Sequence, residues 1–168
     1  GIRPMKAILR AFLLPVGVAT VGGGVAAYAI ASRGLSTRVT PSAIETSIAL
    51  TMRRFATPSA VRGAVNPVAA APEVLDEALA HFADHCASCH ANDGSGNTEM
   101  GRSFYPPAPD MGAARTQQLS DGELFSIIEH GIRLTGMPAW GTGTPEGERG
   151  SWGLVHFLRK LPSLTPDD

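Results

Sequence analysis

Two cysteines and a histidine fall in the run Cys86-Ala87-Ser88-Cys89-His90. C-x-x-C-H is the attachment signal for c-type haem. Two thiols at i and i+3, at a helix end, reach two vinyl groups on one edge of a porphyrin and form thioethers. The adjacent imidazole then falls under the iron. Other uses of these residues fit less well. A zinc site needs two more Cys or His ligands at suitable spacing. His81 and His85 are near, but four ligands within ten residues of one helix cannot surround a metal. A thioredoxin-like C-x-x-C needs alternating strands and helices, and strand signals are nearly absent.

An iron held by His90 takes its second ligand from Met100, Met111, Met137, His130 or His156. Met137 lies in Gly136-Met137-Pro138-Ala139-Trp140, between two expected helices, where it can approach the face opposite His90. Pro138 stiffens that loop and removes a donor. A thioether favours Fe(II) over a harder ligand, so His/Met ligation raises the potential. Met100 and Met111 follow His90 closely and are expected on its side. His130 flanks an apolar stripe as a surface or haem-edge residue, and His156 belongs to a solvated helix face.

The elements that position these residues are helical. Residues 73–88 carry Val74 or Leu75, Ala78, Leu79, Phe82 and Cys86 on a helical stripe, with Pro72 at a favourable first position. Residues 92–110 have loop composition. Ser120 and Glu123 form a capping box before the apolar face Leu124, Ile127, Ile128 and Ile132. Residues 136–143 are loop. Thr144-Pro145 opens a third helix with Trp152, Val155 and Leu158 on one stripe, and Pro162 ends it. Three helices and long loops in roughly 96 residues make a thin core, hardly enough to offset chain entropy. A buried porphyrin would fill the middle.

Over residues 73–162 the chain resembles class I cytochrome c. The resemblance is carried by C-A-S-C-H, by T-G-M-P-A-W and by the helix order. It implies an all-α fold, three main helices around one covalently attached haem c, with His90 and Met137 as axial ligands. It implies that Phe82 packs on the C-terminal helix near Leu154 and Phe157. It also implies a proline carbonyl accepting the axial histidine's Nδ1–H. Pro109, in Tyr105-Pro106-Pro107-Ala108-Pro109-Asp110, is the choice among three prolines. Such a bond fixes the ring and raises its basicity. Trp140 and Arg133 are candidates for contacts to haem propionates. For Trp140, packing at the rim is an equal reading. Asn92-Asp93-Gly94-Ser95-Gly96 is a surface turn, lacking the Lys of a phosphate loop and the spaced acids of a calcium loop.

The remainder of the chain differs in kind. Residues 1–72 hold eight Lys/Arg and one acid, Glu45, whereas residues 73–168 hold six Lys/Arg and fourteen Asp/Glu. An acidic domain excludes nucleic-acid binding, which needs a dense cationic face. Two cysteines three positions apart exclude a disulfide scaffold. Residues 11–32 are uncharged and, at about 1.5 Å per residue, just span a bilayer core of about 30 Å. Arg3, Lys6 and Arg10 precede the stretch; Arg33 and Arg38 follow it. Two readings stand, a cleaved secretory signal ending at Ala27-Tyr28-Ala29 or Ala29-Ile30-Ala31, and a retained anchor. The length, beyond a typical apolar signal region of about 7–15 residues, favours the anchor. Residues 33–72 form a connector. Within it, residues 42–56 hold a short amphipathic helix with a Ser42/Glu45 capping box and Ile44, Ile48, Met52 and Phe55 at helical spacing. It suits anionic lipid or a partner subunit, or is marginal helix in a tether. Residues 57–72 have Pro/Ala linker composition. The expected organisation is therefore 1–32 tail and anchor, 33–72 connector, 73–168 haem domain.

His/Met ligation leaves no open iron position. The expected activity is single-electron, outer-sphere transfer by a membrane-anchored monohaem carrier, not an enzyme, between redox partners with basic docking faces. Alternatives are a fixed haem subunit of a respiratory or photosynthetic membrane complex, and a haem enzyme or gas sensor with a labile Met137. Haem attachment by this motif takes place outside the cytoplasm. That places the domain on the periplasmic side of a bacterial cytoplasmic membrane.

Overall fold

The computed structural model describes residues 2–164. The side chains of residues 2–10, 12 and 33 lie outside that description, and with them the flanking cations Arg3, Lys6, Arg10 and Arg33. The described residues are all-helical, without a strand, and divide into two units, Gly1–Ser36 and Thr37–Asp168.

The first unit is one helix, α1, Ile2–Arg33. Within it Leu13–Ser32 is long and apolar enough to cross a membrane by length and composition. Its described side chains are almost all exposed. The hydroxyls of Thr20 and Ser32 turn back onto the carbonyls of Val16 and Ala29, at 2.8 and 3.1 Å. These two hydroxyls are thereby satisfied within the helix itself.

The second unit opens with α2, Ala43–Ala56. The capping box expected from sequence is formed: the Glu45 N–H donates to Ser42 Oγ at 3.2 Å, and the Ser42 N–H donates to the Glu45 carboxylate at 2.7 Å. A short α3, Ser59–Arg62, follows. Helix α4, Pro72–His81, starts on its proline and runs through a π-helical turn, Phe82–Cys86, into α5, Ala87–His90. The sequence reading of one helix over 73–88 corresponds to this composite. The wide turn at Cys86 is the kind of local irregularity found at functional positions. Where residues 92–110 predict only loop, α6 forms at Glu99–Ser103, capped by Thr98 Oγ1, which accepts from the Gly101 N–H at 2.8 Å. Five residues are too few to show a period. Two more short and long helices follow, α7, Ala114–Gln117, and α8, Asp121–His130, the latter with its Ser120/Glu123 box formed. Helix α9, Pro145–Lys160, is capped by Thr144 and passes into a 3-10 turn, Leu161–Ser163, at the expected Pro162.

The core lies where α9 crosses α4 and α8. Phe82, Leu124, Ile128, Leu154, Val155, Phe157, Leu158 and Leu161 are buried there. The Phe82 and Phe157 rings stand 4.9 Å apart, meeting the packing that the resemblance implies. Phe125 stacks on Trp152 at 4.1 Å. Arg159 of α9 ties this core to the chain before α8, donating to the Gln117 and Leu119 carbonyls and to Asp121.

The segment 57–71, with its linker composition, is packed on this unit. Asn66 Nδ2 donates to the Trp152 carbonyl at 2.9 Å. His156, expected on a solvated face, is half-buried and donates from Nε2 to the Val68 carbonyl at 2.6 Å. Gly122 is buried under the same segment: a Cβ there would collide with the Val61 carbonyl and meet Ala64 Cβ at 2.9 Å. These contacts use backbone oxygens and a missing side chain, neither of which leaves a hydrophobic period.

Candidate haem site

A cavity of about 490 Å³ opens between the α4–α5 composite, α8, α9 and two loops. Six of the seven residues expected from sequence line it: Cys86, Cys89, His90, Pro109, Met137 and Trp140. The walls between them are mostly apolar, with Phe82, Phe104, Met111, Ile128, Ile132, Leu154 and Leu158. A pocket of this size and lining suits a large, flat, apolar ligand held by a few polar groups.

The first loop is held to the attachment helix through its backbone. The Gly96 N–H donates to the His90 carbonyl at 2.8 Å, and Thr98 Oγ1 donates to the Cys89 carbonyl at 3.1 Å. The Ala108 N–H reaches the Gly101 carbonyl at 2.9 Å, which brings residues 106–109 to the cavity wall. Gly96, at φ +71°, has no room for a Cβ against the Ala108 carbonyl. The turn therefore needs glycine both for its backbone and for the approach.

The second loop folds back on the end of α8. The Ile132 N–H donates to the Met137 carbonyl at 3.1 Å, and the Met137 N–H donates to Thr135 Oγ1 at 3.1 Å. The Trp140 N–H donates to the Ile128 carbonyl at 2.9 Å. Gly131, at φ +64°, ends the helix, and a Cβ there would stand 2.7 Å from the Met137 carbonyl oxygen. The Phe104 ring rests on Gly136 and joins the two loops.

His90 is buried, and its Nδ1 makes no hydrogen bond of full geometry. Burial pushes the imidazole below the usual histidine range. The Pro109 carbonyl, the backbone group acting on the ring, opposes that shift without reversing it. A neutral imidazole is the form that ligates metals. Burial, and secondarily Cys89, push the Cys86 thiol up to about 11. It stays protonated at neutral pH, which disfavours a thiolate nucleophile. No cluster of three or more His, Cys, Asp or Glu suited to a metal ion occurs among the described residues. The apolar cavity, the thiol pair on its wall, the buried His90 ring and the Met137 loop that also borders it together fit a covalently attached haem.

Arg133 does not line the cavity. It is exposed on the turn closed by the Thr135 N–H and the Ile132 carbonyl at 3.2 Å. The arginine that borders the cavity is Arg115, on α7. Sequence reasoning missed it because a four-residue helix carries no pattern that ties it to the attachment motif. His85 enters the sequence reading only beside a possible zinc site. It borders the cavity, with its ring 5.4 Å from Trp140 and 5.1 Å from His81. Its place directly before Cys86 was the available signal. Met100 and Met111 also border the cavity, whereas His130 is exposed and His156 fastens the connector.

The sequence of residues 73–158, just over half of the chain, matches the family model described as cytochrome C oxidase, cbb3-type, subunit III. No curated protein matches the chain.

Proposed function

The chain belongs to the cbb3-type cytochrome c oxidase subunit III family and carries a c-type cytochrome domain, and from that premise we propose that it is a membrane-anchored monohaem electron carrier. The carrying observation is one apolar cavity bordered by the Cys86/Cys89 pair, His90 and Met137. Haem bound there supplies reversible one-electron exchange between Fe(III) and Fe(II). Cys86 and Cys89 hold it through thioethers. His90 and Met137 would hold its iron, and with both donors bound dioxygen and peroxide would be kept from the metal. The Pro109 carbonyl orients the His90 ring. The apolar walls exclude water, which limits solvent reorganisation during transfer. Trp140 packs at the rim beside His85, and Arg115 is the cation placed to meet a propionate. The fourteen acids of residues 73–168 steer the domain toward basic docking faces, with association slowed by salt. Residues 11–32 anchor the chain, with the haem domain on the periplasmic side.

A second reading, a fixed haem subunit of a larger membrane complex, is favoured by the connector. Its packing through Asn66 and His156 shortens the free tether from the roughly 40 residues read from sequence to the stretch before α2. Purification in mild detergent separates the readings: a stoichiometric assembly supports the subunit, a lone chain the shuttle.

Met137→Ala tests the site. The holoprotein should keep its covalent haem through denaturation and extraction. It should lose the long-wavelength ferric band of an Fe–S(Met) bond, fall in potential and bind carbon monoxide when reduced. An unchanged spectrum would move the ligand to Met100 or Met111. A colourless wild-type protein would end the proposal.

A further inference from the structure

Helix α2 carries an apolar edge left uncovered among the described residues. Ile44, Ile48, Met52 and Phe55 are 73%, 54%, 65% and 86% exposed. At about 100° per residue they fall within an arc of roughly 80°. The half-buried residues of the helix, Thr46, Leu50 and Arg53, lie on the opposite side. The helix thus keeps a partly polar side inward and its apolar stripe outward. Its placement is held at both ends. Tyr105 donates from its hydroxyl to Glu45 at 2.9 Å, and Arg62 donates to the Arg54 and Thr57 carbonyls at the C-terminal end. An outward apolar row held in this way marks a contact surface.

Two observations identify what meets it. The first is the covalent continuity with α1. Residues 33–42 separate α2 from the apolar stretch Leu13–Ser32, and ten fully extended residues span at most about 35 Å. A bilayer that holds α1 therefore keeps α2 close to its surface. The second is charge. Residues 42–62 carry Arg53, Arg54 and Arg62 against Glu45, while the rest of the unit is acidic. Arg54 is exposed and lies beside the stripe, about 80° from Ile44 around the helix axis. Anionic headgroups attract such a segment and repel the acidic body.

We propose that α2 lies along the membrane surface, with Ile44, Ile48, Met52 and Phe55 among the upper acyl chains and Arg54 at anionic headgroups. The inference rests on reading α1 as the anchor. It makes α2 a second, lateral attachment of the kind an amphipathic helix provides. Because α2 belongs to the same unit as the haem cavity, that attachment also sets how the cavity mouth faces the membrane plane. Partners would then be met by lateral diffusion in one orientation.

The test uses the full-length holoprotein in phosphatidylcholine vesicles with and without phosphatidylglycerol. Single cysteines are added at Ile48→Cys on the stripe, Ala49→Cys about 100° away around the helix and Val18→Cys in α1, with Cys86 and Cys89 consumed by haem. Each is spin-labelled and its relaxation by oxygen is compared with that by a water-soluble nickel chelate. An unchanged haem spectrum shows that each variant is folded. The oxygen-to-nickel ratio should be several-fold higher at Ile48→Cys than at Ala49→Cys, and the excess should shrink without phosphatidylglycerol. Equal nickel access at both positions would overturn the proposal. So would shielding of Ile48→Cys from both reagents, which would mean that protein covers the stripe. A nickel-accessible Val18→Cys would instead remove the anchor. An oxygen-rich Val18→Cys beside a water-exposed Ile48→Cys would leave the anchor standing and the lateral contact disproved.

Discussion

Helices α4, α8 and α9 and the segment 57–71 occupy the same compact unit, yet they are held by different means. The helices meet through apolar side chains: Phe82 on Phe157, with Leu124, Ile128, Val155 and Leu158 buried between them. The segment adds only the small side chains of Ala64 and Val68 to that core and is otherwise fixed by polar contacts: the Asn66 amide donates to the Trp152 carbonyl, His156 donates to the Val68 carbonyl, and the Val61 carbonyl closes on Gly122. Side-chain packing of the first kind scales with buried area and amounts to several kcal/mol per large residue. Hydrogen bonds of the second kind contribute about 1 kcal/mol each, because water offers an alternative partner. The helices should therefore define whether the domain folds, and the segment should be separable from it.

Substituting Phe82 tests the first half of that contrast and carries the largest expected effect. Phe82→Ala removes a nearly fully buried ring from the α4–α9 seam and from the wall of the cavity. A loss of about 3–5 kcal/mol is expected in denaturant unfolding of the holoprotein. A loss below 1 kcal/mol would mean that the haem, rather than the helix seam, dominates stability.

Gly122→Ala addresses the other half. The new Cβ would collide with the Val61 carbonyl and crowd Ala64, so the segment must lift away from α8. A cost of about 1–3 kcal/mol is expected, as for other overpacked sites. Limited proteolysis within 57–71 should accelerate while the haem absorption stays unchanged. Loss of haem together with the segment would show that the two regions fold as one.

A smaller change, His156→Ala, leaves the Val68 carbonyl without its donor and should cost about 1 kcal/mol in the same unfolding measurement. Combined with Gly122→Ala it should add little. Once the segment has lifted, the hydrogen bond is already lost, and the two effects are coupled through one backbone. Full additivity would mean that His156 acts on α9 itself.

This contrast also explains what could be read in advance. The long helices were legible because α8 and α9 bury periodic apolar stripes and announce their starts with Ser120/Glu123 and Thr144-Pro145. The attachment motif and the Met137 loop were legible because their chemistry fixes residue type and local spacing. The packed segment was not, since Asn66, Val68 and Gly122 form no period. Arg133 illustrates the remaining difficulty. From sequence it is a cation four positions before Met137, but the turn at Gly131 and the closure of Thr135 onto Ile132 leave it outside the cavity. Arg115, more distant in sequence, is brought to the cavity by tertiary structure alone.

The weakest expected effect distinguishes the two regions by pH. His81 ends α4, and its ring lies within reach of α9: a Cβ on Gly150 would stand 3.8 Å from its Nδ1. Burial, and then the neighbouring His85, hold the imidazole below the usual histidine range, with Asp84 opposing. A lowered pKa in the folded state means that the unfolded chain takes up the proton first. The associated stability is present above the ordinary histidine value of about 6.5 and is lost as pH falls below it. Thermal unfolding should therefore weaken on acidification, and His81→Gln should flatten that part of the dependence. The change should be smaller than that from His156→Ala, because His81 is only partly shielded from solvent. Proteolysis within 57–71 should be no faster in His81→Gln than in the parent at either pH. A pH response carried by the segment instead of the α4–α9 seam would show that the two share more than this division allows.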